Sequence, residues 1–182
     1  MVKSIRIFLL FVFAGSLFLS TQAIAEEGRG NIGIGSKSLA ISVTSASNVT
    51  SQYEWTGSAL TAEYDFTSWL SLNGSVYDLT ENVDSNSKMR GLDIGLRLGI
   101  NDVGVVYSCA IGYFNDKWIH PKFTASQSIS GVTFGGGIGY NWDHVNLNLE
   151  AFSLRFSSDY ENNFGSGVSR VNSTQLSVAY RF

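Results

Sequence analysis

One proline (Pro121), one cysteine (Cys109) and two histidines (His120, His144) are all that the 182 residues hold of the types that lock backbones, crosslink chains and bind metals. A single cysteine excludes an intramolecular disulfide. Two histidines 24 positions apart and that one cysteine cannot supply a tetrahedral metal set, so no metal and no other cofactor is expected. Charge is scarce as well: 15% of residues are Asp, Glu, Lys or Arg, against roughly 25% in an average soluble domain. With a formal net charge of -3 and no Lys or Arg run to neutralise phosphates, nucleic acid is excluded as a partner. Helical periodicity is also missing, since beyond the N-terminal residues no stretch repeats apolar residues at i, i+3, i+4 and i+7. Glycine is plentiful instead, at 19 residues, and aromatics make up 13%.

The N-terminal residues are read apart from the rest. Lys3 and Arg6 precede an apolar stretch, Ile7 to Leu19, and Ala23-Ile24-Ala25 has the small-residue form of a cleavage site. This is the pattern of a secretory signal peptide, residues 1–25, cut before Glu26. The apolar stretch is too short for the roughly 20 residues of a spanning helix. No cysteine lies near the cut, so no lipid is attached there. The remainder, residues 26–182, is one exported domain.

Within that domain, apolar residues alternate at period two, which argues strands. Leu92, Ile94, Leu96, Leu98 and Ile100 alternate with Gly91, Asp93, Gly95, Arg97 and Gly99. A half-buried strand of a soluble sheet would carry Lys, Glu and Thr on its second face; here that face is small and nearly uncharged, as a crowded interior requires. Eight strands follow: Gly30 to Val43, Glu54 to Phe66, Trp69 to Leu79, Lys88 to Ile100, Gly104 to Asn115, Gln127 to Asn141, His144 to Phe156 and Ser169 to Phe182. The links between them alternate. Thr67-Ser68, Asn101 to Val103 and Trp142-Asp143 are short; Thr44 to Tyr53, Thr80 to Ser87, Asp116 to Ser126 and Ser157 to Val168 are long. Short turns at one end and long loops at the other predict an all-β fold, an eight-stranded antiparallel up-and-down transmembrane β-barrel.

Aromatic placement points the same way. Tyr64, Phe66, Trp69, Tyr107, Tyr140, Trp142, Tyr180 and Phe182 gather at the short-turn end, and Tyr53, Trp55, Tyr77, Tyr113, Phe114, Trp118 and Phe156 near the loop end. Two such groups match the girdles of membrane barrels. The competing reading is a secreted barrel or sandwich whose core these rings fill.

Three stretches, "ALTAEYDFTSWLSLNGSVYDL" (Ala59 to Leu79), "FGGGIGYNWDHVNLNLEAFSLRF" (Phe134 to Phe156) and "QLSVAYRF" (Gln175 to Phe182), carry a resemblance. Their cadence resembles that of the small eight-stranded outer-membrane barrel superfamily of Gram-negative bacteria, which takes in the OmpA membrane domain, OmpX, Ail and the opacity-type proteins. The resemblance covers residues 26–182 as architecture and implies the cell outer membrane as location, with its lipid and lipopolysaccharide as surroundings. In that superfamily a C-terminal Phe preceded by apolar residues at alternate positions is the signal read by the barrel-assembly machinery. Phe182, Tyr180, Val178 and Leu176 occupy those places.

If the aliphatic faces meet lipid, Lys37, Glu63, Asp93, Arg97, Glu150 and Arg181 turn inward, three of each sign. Buried charge must be paired, so an interior salt-bridge network is expected. Eight strands enclose room for side chains and little more, which favours a plugged barrel over a diffusion pore. The first strand changes parity, from Ile32 and Ile34 to Leu39, Ile41 and Val43, and a bulge near Ser36 to Ser38 is the expected cause. Cys109 shares the parity of Val105, Tyr107, Ile111 and Tyr113 and should face lipid.

No enzyme is expected. A nucleophile, a base and an orienting acid must lie within hydrogen-bond reach, but His120 belongs to the third long loop and His144 to the opposite end of the barrel. Barrel lipid A deacylases place His and Ser two residues apart, and neither histidine has that partner. Asp84-Ser85 resembles the acid-nucleophile pair of the palmitoyl-transferring barrel without the matching histidine in the first loop. The main expectation is a surface-exposed scaffold whose loops, with Lys117, Trp118 and Lys122 in the third and Asp159, Tyr160, Glu161 and Phe164 in the fourth, serve adhesion to host or cell-surface ligands, or envelope integrity alone. A small passive transport conduit and a lipid A-modifying enzyme are the competing readings.

Overall fold

The computed structural model describes residues 29–45, 47–99, 102–121, 125–165 and 167–182; the signal-peptide expectation, residues 1–25, and Lys122 lie outside the described residues. Eight strands run β1 (Arg29–Thr44), β2 (Thr50–Asp65), β3 (Leu70–Glu81), β4 (Lys88–Gly99), β5 (Gly104–Ile119), β6 (Gln127–Asn141), β7 (Val145–Phe156) and β8 (Val168–Arg181), with one short helix, α1 (Asp159–Phe164), between the last two. Each strand pairs antiparallel with the next, and β1 pairs with β8 to close the barrel. Closure removes both sheet edges and satisfies the strand backbone within the sheet, the condition for crossing lipid with strands. No described helix is long and apolar enough to cross a membrane.

The strands are 12 to 16 residues long, whereas about 9 to 11 tilted residues span the hydrocarbon. The surplus stands at the loop end. β2 begins at Thr50 rather than Glu54, and β5 continues to Ile119 rather than stopping at Asn115, so the loops expected at Thr44 to Tyr53 and Asp116 to Ser126 shrink to residues 45–49 and 120–126. Their polar, irregular composition hid the strand pattern, because these outward faces meet water and not lipid.

Two further corrections concern register. The bulge expected at Ser36 to Ser38 is absent: β1 pairs with β2 without a slip from Arg29↔Asp65 to Thr44↔Thr50, and with β8 its irregularity falls at Ser42/Val43. Lys37, Leu39 and Ile41 all point inward; the parity change arises because the interior turns from polar to apolar part-way up the strand. A bulge sits instead in β7, where Gly136 and Gly137 face Phe152 and Glu150 and Ala151 is the extra residue. It sends Phe152 and Phe156 outward and Ser153 and Arg155 inward. A one-residue insertion exchanges the two faces of a strand.

The helix α1 was not expected from the sequence. It is under two turns long, too short for a periodic signature, and ends at Gly165, whose φ of 97° suits a residue without Cβ.

Candidate functional site

The outer wall near the turns carries Phe66, Trp69, Tyr107, Tyr140, Trp142, Tyr180 and Phe182, all exposed. Above them lies an aliphatic belt that includes Leu96, Leu98, Ile111, Ile138, Leu147 and Leu176, and then Tyr113, Phe134, Phe152 and Phe156. Four rings assigned to the upper girdle do not belong to it. Trp55, Tyr77, Phe114 and Trp118 are buried inside the barrel, because each has the inward parity of its strand. Cys109 is exposed on the outer face.

On β8, Leu176, Val178, Tyr180 and Phe182 all face outward. The Phe182 backbone closes the seam by donating to the Gly30 carbonyl at 3.0 Å and accepting from the Gly30 N–H at 3.1 Å. Its ring covers Gly30, where a Cβ would come within 2.7 Å of it.

The lower and middle lumen is polar. Near the turns Arg181 pairs with Asp65 at 3.8 Å. Higher up, Arg97 meets Glu63 at 2.7 Å, and Ser71 donates to the same carboxylate at 2.7 Å. Above that, Lys37 pairs with Asp93, and the Arg155 guanidinium bridges Asp93 at 2.7 Å and Asp116 at 2.5 Å. The Tyr77 hydroxyl accepts from Arg155 at 2.8 Å and donates between Asp93 and Asp116. Lys37 lies 4.4 Å from the Tyr77 ring centroid and Arg155 4.5 Å from that of Phe114, so aromatic faces complete the solvation of both cations. Gly91 leaves the room for this cluster, since a Cβ there would fall 2.2 Å from Asp116 Oδ1 and 2.5 Å from the Tyr77 hydroxyl.

Of the six charges expected inside, Lys37, Asp93, Glu63, Arg97 and Arg181 thus enter ion pairs. Glu150 is half-buried in the lumen and, among the described residues, has no hydrogen-bond or ion-pair partner. Three interior charges were missed. Asp116 falls in the expected third loop but belongs to β5; Arg155 is turned inward by the β7 bulge; Asp65 is the last residue of β2. For Arg155 a signal did exist, in the change from Val145, Leu147 and Leu149 to Phe152, Leu154 and Phe156.

Above the network the lumen is filled by an apolar plug: Leu39, Ile41, Trp55, Leu79, Met89, Phe114, Trp118, Ile129, Tyr160 and Val171, drawn from seven of the eight strands and α1. Ser87 is fully buried and accepts from both indole N–H groups, Trp55 at 3.3 Å and Trp118 at 3.1 Å. The helix α1 lies over the mouth. Phe164 stacks on Trp118 with centroids 4.4 Å apart, and Tyr160 stacks on Phe114 at 5.8 Å. Burial pushes the Tyr160 hydroxyl above the ordinary phenol range, against the opposing pull of Arg155. Asp159 fastens the helix by accepting from the Ser130 N–H at 3.1 Å.

Outside the plug the wall is hydrophilic. Ser38 donates to Glu54 at 3.1 Å, Thr56 to Asn82 at 2.8 Å, and Arg90 to Asp78 at 2.7 Å. Strand ends and loops form a collar, polar without and apolar within. The histidines lie far apart: His120 is 3.8 Å from Asp84 at the collar, and His144 stacks on Tyr180 at the turn end. Among the described residues no group of three His, Cys, Asp or Glu could hold a metal ion.

A family model, that of the outer membrane protein beta-barrel domain, matches residues 11–182. No curated protein matches the sequence. Among solved structures, Ail, the attachment invasion locus protein of Yersinia pestis, is 15% identical, with a TM-score of 0.59 over 86% of this chain and 99% of that one. The same protein in complex with the heparin analogue sucrose octasulfate is 17% identical, with a TM-score of 0.51 over the same shares. Neisserial surface protein A is 12% identical, with a TM-score of 0.55 over 82% of this chain and 95% of that one. At such identities the likeness is one of fold.

Proposed function

The chain belongs to the outer membrane protein beta-barrel domain family, and from that premise we propose that it is a sealed surface scaffold whose barrel holds a rigid collar above the membrane and conducts nothing. It is an integral outer-membrane protein, and its aliphatic belt is covered by outer-membrane lipid. The observation that carries the proposal is the plug, in which Leu39, Ile41, Trp55, Leu79, Met89, Phe114 and Ile129 have no exposed surface. Ions crossing the lumen would have to displace this packed apolar layer. Refolded protein in a planar bilayer should give no conductance, and reproducible channel steps would overturn the reading in favour of a conduit.

A lipid A-modifying enzyme is disfavoured by the histidine positions. His120 faces Asp84 and meets the Trp118 ring edge-on at the collar, and His144 stands at the other end of the barrel, so the two do not share one site. Lipid A profiled by mass spectrometry with and without expression should be identical.

The collar is the surface offered to partners. Among the described residues it carries the carboxylates of Glu54, Asp78, Glu81, Asp84, Asp159 and Glu161 against the basic side chains of Lys88, Arg90, Lys117 and Arg170. That balance does not favour a polysulfated ligand of the kind bound in the Ail complex; a host or cell-surface ligand, if engaged, meets mixed charge, and the alternative role is envelope integrity. We further propose that residues 1–25 are removed on export and that Leu176, Val178, Tyr180 and Phe182 are read by the barrel-assembly machinery. Their outward orientation on the seam strand supports this. Removing Phe182 should lower the amount of heat-modifiable barrel recovered from cells.

A further inference from the structure

We infer that the middle of the lumen is a binding site for a small monovalent cation, centred on Glu150. Among the described residues the lumen holds four cations, Lys37, Arg97, Arg155 and Arg181, and each meets a carboxylate: Asp93, Glu63, the Asp93 and Asp116 pair, and Asp65. Glu150 is the fifth carboxylate and, among the described residues, has no counter-charge. In the strand register it stands beside Gln175, which stands beside Lys37, but Lys37 is committed to Asp93. A half-buried carboxylate facing a narrow lumen is only partly screened by water, so a counter-charge beside it stabilises its ionised form.

The surroundings of Glu150 supply what such a cation needs. A cavity of about 40 Å³ lies against it, lined also by the amides Asn31, Asn73, Asn148 and Gln175 and by the ion-paired Glu63, Arg97 and Asp93, whose charges are already matched within the network. That is room for an ion and about one or two waters. The side-chain carbonyl oxygens of these four amides are buried and have no protein partner. Asn31, Asn148 and Gln175 are at least nine-tenths buried, with 5%, 7% and 9% of their surface exposed. They come from β1, β3, β7 and β8, so the oxygens converge from opposite walls. None of the four amides donates to Glu150, as at least one would if its carboxylate were held by hydrogen bonds alone.

The donor set selects the class of ion. Neutral carbonyl oxygens with a single surplus carboxylate suit a hard ion of one positive charge. Calcium draws on several carboxylates and six to eight oxygens, and a divalent ion here would replace one uncompensated charge by another of opposite sign. The site therefore takes sodium or potassium.

The test uses the full domain refolded in neutral detergent micelles, unfolded with urea in sodium, potassium or N-methylglucamine chloride at equal ionic strength. The midpoint should be higher in at least one alkali salt than in N-methylglucamine, which is too large for the cavity. Glu150→Gln should abolish that difference, and Glu54→Gln on the outer wall should keep it. Sodium NMR linewidths should broaden with the wild-type barrel and less with Glu150→Gln. If Glu150→Gln fails to fold, Asn148→Leu serves in its place. Equal midpoints in all three salts would overturn the site, as would a salt difference that survives in Glu150→Gln. A midpoint that follows pH but not the cation would assign the compensating charge to a proton and overturn it equally.

Discussion

Below the level of Asp93 the barrel is polar inside and aliphatic outside; above it, the order is reversed, with Leu39, Trp55 and Trp118 inside and Ser38, Glu54 and Arg90 outside. One continuous sheet serves both regions, with the strands paired throughout and β1 crossing the boundary without a slip against β2. The difference teaches that the inside-out pattern of a membrane barrel belongs to the solvent and not to the sheet. Where lipid surrounds the wall, apolar side chains gain nothing by turning in, and the lumen is left to charges that must pair. Where water surrounds it, the hydrophobic effect returns and drives the large side chains inward, as in a soluble barrel. Strand ends that project beyond the bilayer thereby enclose an apolar core of their own.

The comparison can be broken at either level. Arg155→Ala strips Asp93 and Asp116 of a fully buried partner and should cost about 3–5 kcal/mol, while Trp55→Ala should cost a similar ~3–5 kcal/mol by opening a cavity in the plug. Urea unfolding in micelles would measure both, and a negligible loss for Trp55→Ala would mean that the collar is not a true core. A finer contrast lies on the outer wall. Leu96→Arg, on the aliphatic belt beside Ile111, should cost about 2–4 kcal/mol in lipid bilayers; Gln52→Arg, on the collar, should stay within about 0.5 kcal/mol. Equal costs would place the membrane boundary elsewhere. Gly91→Ala should cost about 1–3 kcal/mol by overpacking against Asp116 and Tyr77. The smallest effect is expected from Arg90→Ala, which removes a half-exposed pair with Asp78 and should cost about 0–1 kcal/mol, falling further as salt is raised.

The aliphatic belt made the fold legible. Leu92, Ile94, Leu96 and Leu98 fix both the strand and its face, because only one face of a spanning strand meets lipid. Legibility failed at two changes of parity that look alike in sequence and differ in space. In β1 the aliphatic residues change parity because the surroundings change; in β7 they change parity because Ala151 is inserted. Period alone cannot separate these cases, since each swaps which parity is apolar. The buried rings were misplaced for a related reason: height along a strand assigns an aromatic to a girdle, but only parity decides whether it faces lipid or plug. Asp116 and Arg155 went unseen as partners because their pairing spans 39 residues of sequence and depends on one strand outlasting its lipid-facing pattern and another being bulged.

By itself, the sequence determined the number and order of the strands, their antiparallel up-and-down closure and the side that meets lipid. These are local matters, set by period two, turn length and the solvent beyond one face. Only the tertiary structure decided which charges meet, that Glu150 is left without a partner among the described residues, and that the collar closes over an apolar plug capped by α1. Those features arise where side chains from non-neighbouring strands converge across the lumen, and no pattern within a single strand records what stands opposite it.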